Sequence, residues 1–521
     1  MPHDLNQLRK RLAEITDLRN AAYLLEWDQQ TMMPPGGASA RAETIATLQG
    51  IHHEQFVSAE TGRLLDAAGA ECSGADPDSD DARLVRVTRR RWEKARRVPI
   101  ELAADLARAG SLGTQAWIEA RSNSDYAAFA PYLQQNIELA RRYVDCFDDY
   151  ECAYDVLLDE FEPGMKTTEV ASLFAELKSE LVPLISTVTQ RSVDDSCLHG
   201  SFPVELQRKF VTDVVALMGF DPQSWRLDDA VHPFALSLSS HDVRITTRWD
   251  ERFFPAALYG AMHECGHGLY EAGVDDALQR TPIGNAESLG LHESQSRMWE
   301  NMVGRGDSFS GVLAPMITEA FQTPLDAQAL YRAVNRVQPS FIRVEADEAT
   351  YGLHVVLRFE LEQELIEGRL RVADLPEVWN ARVKEYLDLD VPNDALGVLQ
   401  DVHWASGLIG YFPTYALGNL IAGQLWERAH TDLPQLGAAI AAGELSPLRE
   451  WLRENVHRHG AKFSTTELLA RVVGGPIKVA PFVSYLRHKL GDVYGIDLAA
   501  GNGGRGSIAK LKYDLEEMNS Q

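Results

Sequence analysis

The pair His263 and His267, four residues apart, follows a stretch that has no polar face, and nothing else in the chain constrains its fold as tightly. Ala256-Ala257-Leu258-Tyr259-Gly260-Ala261-Met262 is apolar on every side of a helix, so the segment reads as a buried helix that other elements must enclose. Pro255 suits a first helical turn, Gly273 falls where a left-handed cap is expected, and Gly266 and Gly268 leave room for close packing. Positions i and i+4 share a helix face, so both imidazoles can turn a ring nitrogen toward one ion, and zinc suits that donor set. Glu264 lies about 100° around the helix from His263, outside the ligand shell but within reach of a water on the ion's open side. That is the place of a general base, and amide hydrolysis is the chemistry it supports. Cys265, about 200° from His263, reads as a core residue rather than a ligand or nucleophile.

A catalytic zinc takes a third protein ligand and leaves its fourth position to water. The next dense polar cluster, running from Asn285 to Glu300, offers Glu287, His292, Glu293 and Glu300. Leu289, Glu293 and Arg297 share a helical stripe, but spacing alone excludes none of the four. A third histidine six residues beyond the motif is ruled out because Gly273 stands there, which leaves a site of two histidines and one carboxylate.

Several further blocks make the chain resemble the carboxypeptidase Taq family of zinc metallocarboxypeptidases. They are Trp27-Asp28-Gln29-Gln30-Thr31-Met32-Met33-Pro34, His232-Pro233-Phe234, Asp242-Val243-Arg244-Ile245-Thr246, His292-Glu293-Ser294-Gln295, Arg343-Val344-Glu345-Ala346-Asp347, and Gln400-Asp401-Val402-His403-Trp404 running into Gly410-Tyr411-Phe412-Pro413-Thr414-Tyr415. Where family members tend to have Tyr-Glu-Gln after the metal helix, this chain has Tyr270-Glu271-Ala272. The resemblance implies that Glu293 is the third ligand of one Zn2+ per chain, a position that cobalt or another divalent ion would also satisfy. It further implies a large, mostly α, two-lobed metallopeptidase fold with a deep active-site groove, broad side-chain tolerance with poor cleavage of C-terminal proline, and a homodimer.

Removal of a C-terminal residue requires a cation for the free α-carboxylate, and the planar fork of arginine matches it with two hydrogen bonds. Arg343 is the first candidate, with Arg358 and Arg244 behind it; each could instead serve an internal ion pair. The developing oxyanion needs a donor besides the metal, and the last block offers His403 with Tyr411 or Tyr415. Two other readings stay open: a zinc oligopeptide endopeptidase, and a zinc-binding scaffold without catalysis, against which the retained Glu264 argues.

The motif blocks run from residue 27 to residue 415 of 521, so the whole chain reads as one catalytic unit, with a helical lobe over about 1–200 and a metal-binding lobe over about 201–521. Periodicity predicts helices through 4–26, 38–71, 82–121, 124–160, 167–190 and 203–219, with an acidic loop at 72–81. The strand signal is a hairpin just ahead of the metal helix, Leu236-Ser237-Leu238 and Val243-Arg244-Ile245-Thr246-Thr247, and its edge could align an extended peptide or simply pair with another strand. Apolar runs are too short to span a bilayer, the start lacks a signal peptide, and five scattered cysteines suggest no disulfide framework, so a cytoplasmic enzyme is expected. A net charge of −26 argues against nucleic acid and leaves peptides as the expected partners; the arginine-rich run Arg83 to Arg97 reads as a salt-bridged helix face. Gly501-Asn502-Gly503-Gly504-Arg505-Gly506 matches a dinucleotide fingerprint by letter only, since no strand precedes it.

Overall fold

The computed structural model describes residues 3–286 and 288–498. Glu287 and the glycine-rich run at 501–506 lie outside the described residues. The first part of the chain is helical: α1 His3–Thr31, α2 Ala38–Val57, α3 Ala59–Glu71, α4 Asp80–Arg97, α5 Ile100–Asn123, α6 Tyr126–Val144, α7 Ala153–Leu158, α8 Thr167–Val188 and α9 Val204–Met218. Three of the predicted continuous stretches break, two of them for a plain local reason. Ser58 is extended and its hydroxyl accepts the Thr61 N–H, which starts a new helix at α3. Val98 is extended because it precedes Pro99, and this separates α4 from α5. The stretch 124–160 stops at Val144 and resumes only for the short α7.

Three strands follow, β1 Trp225–Asp229, β2 Ala235–Ser239 and β3 Asp242–Thr247, in the order β1-β3-β2. The predicted hairpin is β2–β3, antiparallel with Leu236 opposite Arg244; the parallel partner β1 was not expected. β2 is therefore an edge strand. The metal helix α10 (Pro255–Gly273) packs on one face of this sheet, where the Thr247 hydroxyl donates to the Ala257 carbonyl at 2.9 Å. Strand alternation turns Arg244 to the opposite face, against the Trp27 ring of α1.

The remaining helices are α11 Leu289–Arg297, α12 Asp307–Phe321, α13 Ala327–Val334, α14 Glu348–Ile366, α15 Leu375–Leu387, α16 Pro413–Asp432, α17 Leu436–Ala441, α18 Ser446–Asn455, α19 Thr465–Val472 and α20 Ala480–Tyr494. One buried apolar cluster runs from Ala120 through α10, α11, α14 and α16 to Leu498. A second unites α1, α3 and α4 with Val274, Leu278, Ile283 and Ala461. No helix among the described residues is long and apolar enough to cross a membrane.

Gly273 is not the left-handed cap that the sequence suggested. It is the last residue of α10, Val274 continues in extended conformation, and a side chain at 273 would meet the His457 Cβ at 2.6 Å. Close packing, rather than backbone freedom, explains the glycine.

Candidate metal centre

Helices α10 and α11 supply the donors, and they approach so closely that a Cβ on Gly266 would stand 2.7 Å from the Ser296 Cα. The start of α11 is fixed from outside: the Ser288 hydroxyl accepts the Leu291 N–H at 3.0 Å and donates to Glu162 at 2.6 Å, and Glu162 also accepts the Gly290 N–H. An acceptor carboxylate at a helix N-terminus satisfies donors that the helix itself leaves open.

His263, His267 and Glu293 bring one donor atom each within 4.8 Å of one another. The Glu293 Oε2 lies 3.4 Å from His267 Nε2 and 3.7 Å from His263 Nε2. A tetrahedral zinc with arms of about 2.0–2.1 Å spaces its ligands by roughly 3.3 Å, so the donor set fits that ion. Burial pushes the Glu293 carboxyl up, but Arg297 and the two imidazoles outweigh it and hold the group well below the usual carboxylate range. Arg297 reaches it through Nε at 2.7 Å along the i,i+4 stripe. Behind them, Gly418 of α16 admits the Glu293 side chain, whose Cγ stands 2.6 Å from where a Cβ would be.

The other candidates in this cluster take supporting positions. Glu300 accepts from His263 Nδ1 at 2.9 Å, which leaves Nε2 free to face the centre, and it is itself held by Arg305 at 3.1 Å. It can do so because it stands seven residues beyond Glu293 and three beyond Arg297, on the same helix face, where α11 passes into a π-helical turn, Met298–Gly304. His292 stacks on the His267 ring at 4.4 Å, and its Nε2 is paired with Glu271 at 3.0 Å. Glu271, in the block that departs from the family pattern, also accepts from Asn285 at 3.2 Å.

Glu264 is buried, and burial pushes its carboxyl up to about 7 against the pull of His263. A carboxyl so poised can take and return a proton near neutrality. Cys265 is fully buried and its thiol is pushed up by burial, in keeping with a packing role.

The aromatic block adjoins this centre through α16, whose Tyr415 and Gly418 lie one turn apart on one face. His403 Nε2 stands 3.2 Å from the Tyr415 hydroxyl, and the rings of Tyr411 and Tyr415 are 5.3 Å apart. Burial pulls the His403 imidazole down to about 4 and pushes Tyr411 up to about 12, so at neutral pH the histidine is uncharged and the tyrosine keeps its proton. Tyr351 links the two halves, with Arg297 over its ring at 4.1 Å and its hydroxyl accepting from Arg343 at 2.9 Å.

The three candidate arginines are not equivalent. Arg343 and Arg358 share Asp401: Arg343 donates to Oδ1 at 2.9 and 3.1 Å, and Arg358 donates to Oδ2 through Nε at 2.7 Å. Arg358 lies deeper than Arg343: its side chain is fully buried and also donates to the His354 carbonyl. Arg244 does not join the group: it is paired with Asp242 at 2.8 Å and lies on the sheet face turned away from the metal helix. Asp401, the carboxylate that organises Arg343 and Arg358, was overlooked, although it stands in the same short block as His403.

A sequence profile described as carboxypeptidase Taq (M32) metallopeptidase matches residues 7–490. Thermostable carboxypeptidase 1 of Thermus thermophilus is 41% identical over 495 residues, covering 92% of this chain and 97% of that protein. Carboxypeptidase 1 of Bacillus subtilis is 37% identical over 488 residues, covering 93% and 97%. Among solved structures, the M32 carboxypeptidase of Deinococcus radiodurans superposes with a TM-score of 0.91 at 39% identity, covering 95% of this chain and all of that one. The chain belongs to the carboxypeptidase Taq (M32) family of metallopeptidases.

Proposed function

We propose that this metallocarboxypeptidase uses one zinc ion, held by His263, His267 and Glu293, to release single amino acids from peptide C-termini. The observation that carries the reading is the convergence of those three donors within 4.8 Å beside the buried Glu264. Zinc held there would supply a Lewis acid for the scissile carbonyl and would make the attacking water more acidic. Glu264 takes the proton of the attacking water and returns it to the leaving amine. Tyr411 or Tyr415, with His403, donates to the developing oxyanion.

Arg343 receives the substrate α-carboxylate. Three of its five N–H groups go to Asp401 and Tyr351, which leaves two, while Arg358 keeps Asp401 from cancelling the charge. The peptide main chain lies along the edge of β2. Backbone pairing there selects no side chain, in keeping with broad specificity; poor cleavage of C-terminal proline, a cytoplasmic location and a homodimer belong to the same reading. The division into a helical lobe over about 1–200 and a metal-binding lobe over about 201–521 also remains part of it.

Mass spectrometry of one peptide in its free-acid and C-terminally amidated forms tests this. The expected result is a ladder shortened residue by residue from the free acid and none from the amide, with Glu264→Gln losing several orders of magnitude in kcat while retaining zinc. Equal cleavage of both forms would favour the oligopeptide endopeptidase.

A further inference from the structure

Glu362, one turn beyond Arg358 on α14, is fully buried and takes no part in the chemistry derived above. Its two oxygens accept three hydrogen bonds: from Trp404 Nε1 at 2.7 Å, from the Tyr154 hydroxyl at 2.5 Å and from the Gly410 N–H at 3.0 Å. Two of these donors bracket one stretch of chain. Trp404 follows His403 directly, and Gly410 precedes Tyr411 directly.

The stretch has little other freedom. Asn136 donates to the Trp404 and Ala405 carbonyls at 2.9 Å, and the Leu408 N–H returns to the His403 carbonyl at 2.8 Å. Gly410 has φ +94°, and a side chain there would meet the Leu157 carbonyl at 2.7 Å, beside the helix that supplies Tyr154. The indole and the backbone N–H can only donate, so each requires an acceptor at its own place. A carboxylate provides two accepting oxygens. An amide of the same shape provides one, and either orientation of it turns an N–H toward Trp404 or toward Gly410.

We propose that Glu362 is a positioning residue for peptide hydrolysis, fixing the Trp404–Gly410 segment so that His403 and Tyr411 stand beside the metal ligands. The proposal rests on the reading of those two side chains as oxyanion donors, and it makes Tyr154, Trp404 and Glu362 one unit. Misplacement of a catalytic group by about 1 Å can cost about 100-fold in rate, which sets the scale of the effect.

The test is steady-state kinetics on an N-blocked dipeptide with a free C-terminus, paired with zinc Kd from chelator competition. Glu362→Gln is expected to lose about 100-fold in kcat with KM and zinc Kd held within about threefold. Adding Trp404→Phe removes the donor that clashes with the new amide, so the double variant is expected to regain at least about tenfold in kcat over Glu362→Gln. Unchanged kcat in Glu362→Gln, a zinc Kd that weakens in step with it, or a double variant no better than the single one overturns the proposal. Should Glu362→Gln fail to fold, Gly410→Ala moves the same segment: a fall in kcat at constant zinc Kd supports the proposal and an unchanged kcat overturns it. His403→Ala and Tyr411→Phe separate the two levels of argument. Full activity in both removes the oxyanion reading itself, whereas loss in both with an unaffected Glu362→Gln removes only the brace.

Discussion

Replacing Gly418 with alanine is expected to loosen the metal site without altering a ligand. The added methyl would stand 2.6 Å from the Glu293 Cγ, 2.8 Å from its Cβ and 3.2 Å from its backbone carbonyl carbon. Ordinary carbon contacts lie near 3.5 Å, so relief of about 0.9 Å is needed. Glu293 has little room to give way, because Arg297 holds Oε1 at 2.7 Å and the Ser296 hydroxyl holds Oε2 at 3.2 Å. Either α11 and α16 part or the carboxylate swings out of the donor cluster. Metal–ligand distances tolerate about 0.2 Å, so the expected outcome is zinc Kd weaker by about 10–100-fold, together with an overpacking cost of about 1–3 kcal/mol in the metal-free protein. Chelator competition measures the first and thermal melting of the apoprotein the second. A Kd within threefold of the parent and an unchanged apo Tm would refute the argument that this glycine exists to admit Glu293.

Glu300→Gln removes the carboxylate that orients His263 and is expected to weaken zinc binding about 10–100-fold, read by calorimetry; an unchanged Kd would mean that the Glu300–His263 contact does not tune the ligand. Arg343→Lys keeps a charge but loses the fork shared with Asp401 and Tyr351, and kcat/KM is expected to fall at least about tenfold for free-acid peptides in a comparative digest. Glu467 gives an acid dependence of stability: partial burial raises its pKa, but hydrogen bonds from Arg83 and Arg86 hold it near 2, below its ordinary 4.5. Because the folded value is the lower one, its contribution is complete above pH 4.5 and disappears as the pH falls toward 2, and hydrogen exchange across α4 and α19 is expected to rise over that window. In Glu467→Gln this part of the dependence is absent.

The metal helix was legible because its evidence is local: spacing, an apolar surround and a proline at the right place. The third ligand was not legible from spacing, since Glu293, His292 and Glu300 share one polar segment and their roles separate only in space, where Glu293 faces both Nε2 atoms, Glu300 takes His263 Nδ1 and His292 stacks on His267. Among the arginines, sequence could propose three cations but could not reveal that two converge on Asp401 from separate elements. Breaks at Ser58 and Val98 were written in cap and pre-proline residues that periodicity overrode. Glu362 escaped because an acid within a helix ordinarily reads as solvent-facing; the apolar neighbours Phe359, Leu361, Leu365 and Ile366 were the available signal. Glu162, in the connection between α7 and α8, carried no such signal.

The wide turn at Met298–Gly304 also restricts how this chain can change in length. Glu300 and Arg305 meet across it five residues apart, and removing one residue inside the turn would tighten it to ordinary pitch with the two four apart, a spacing that still shares one helix face. A deletion within the turn is thus absorbed locally. One placed before it, between Glu293 and Arg297, would instead rotate Glu300 and all that follows by about 100° away from Glu293. The loop at 72–79, by contrast, can absorb extra residues at small entropic cost. Register between the ligand and its support is what this part of the chain must inherit intact.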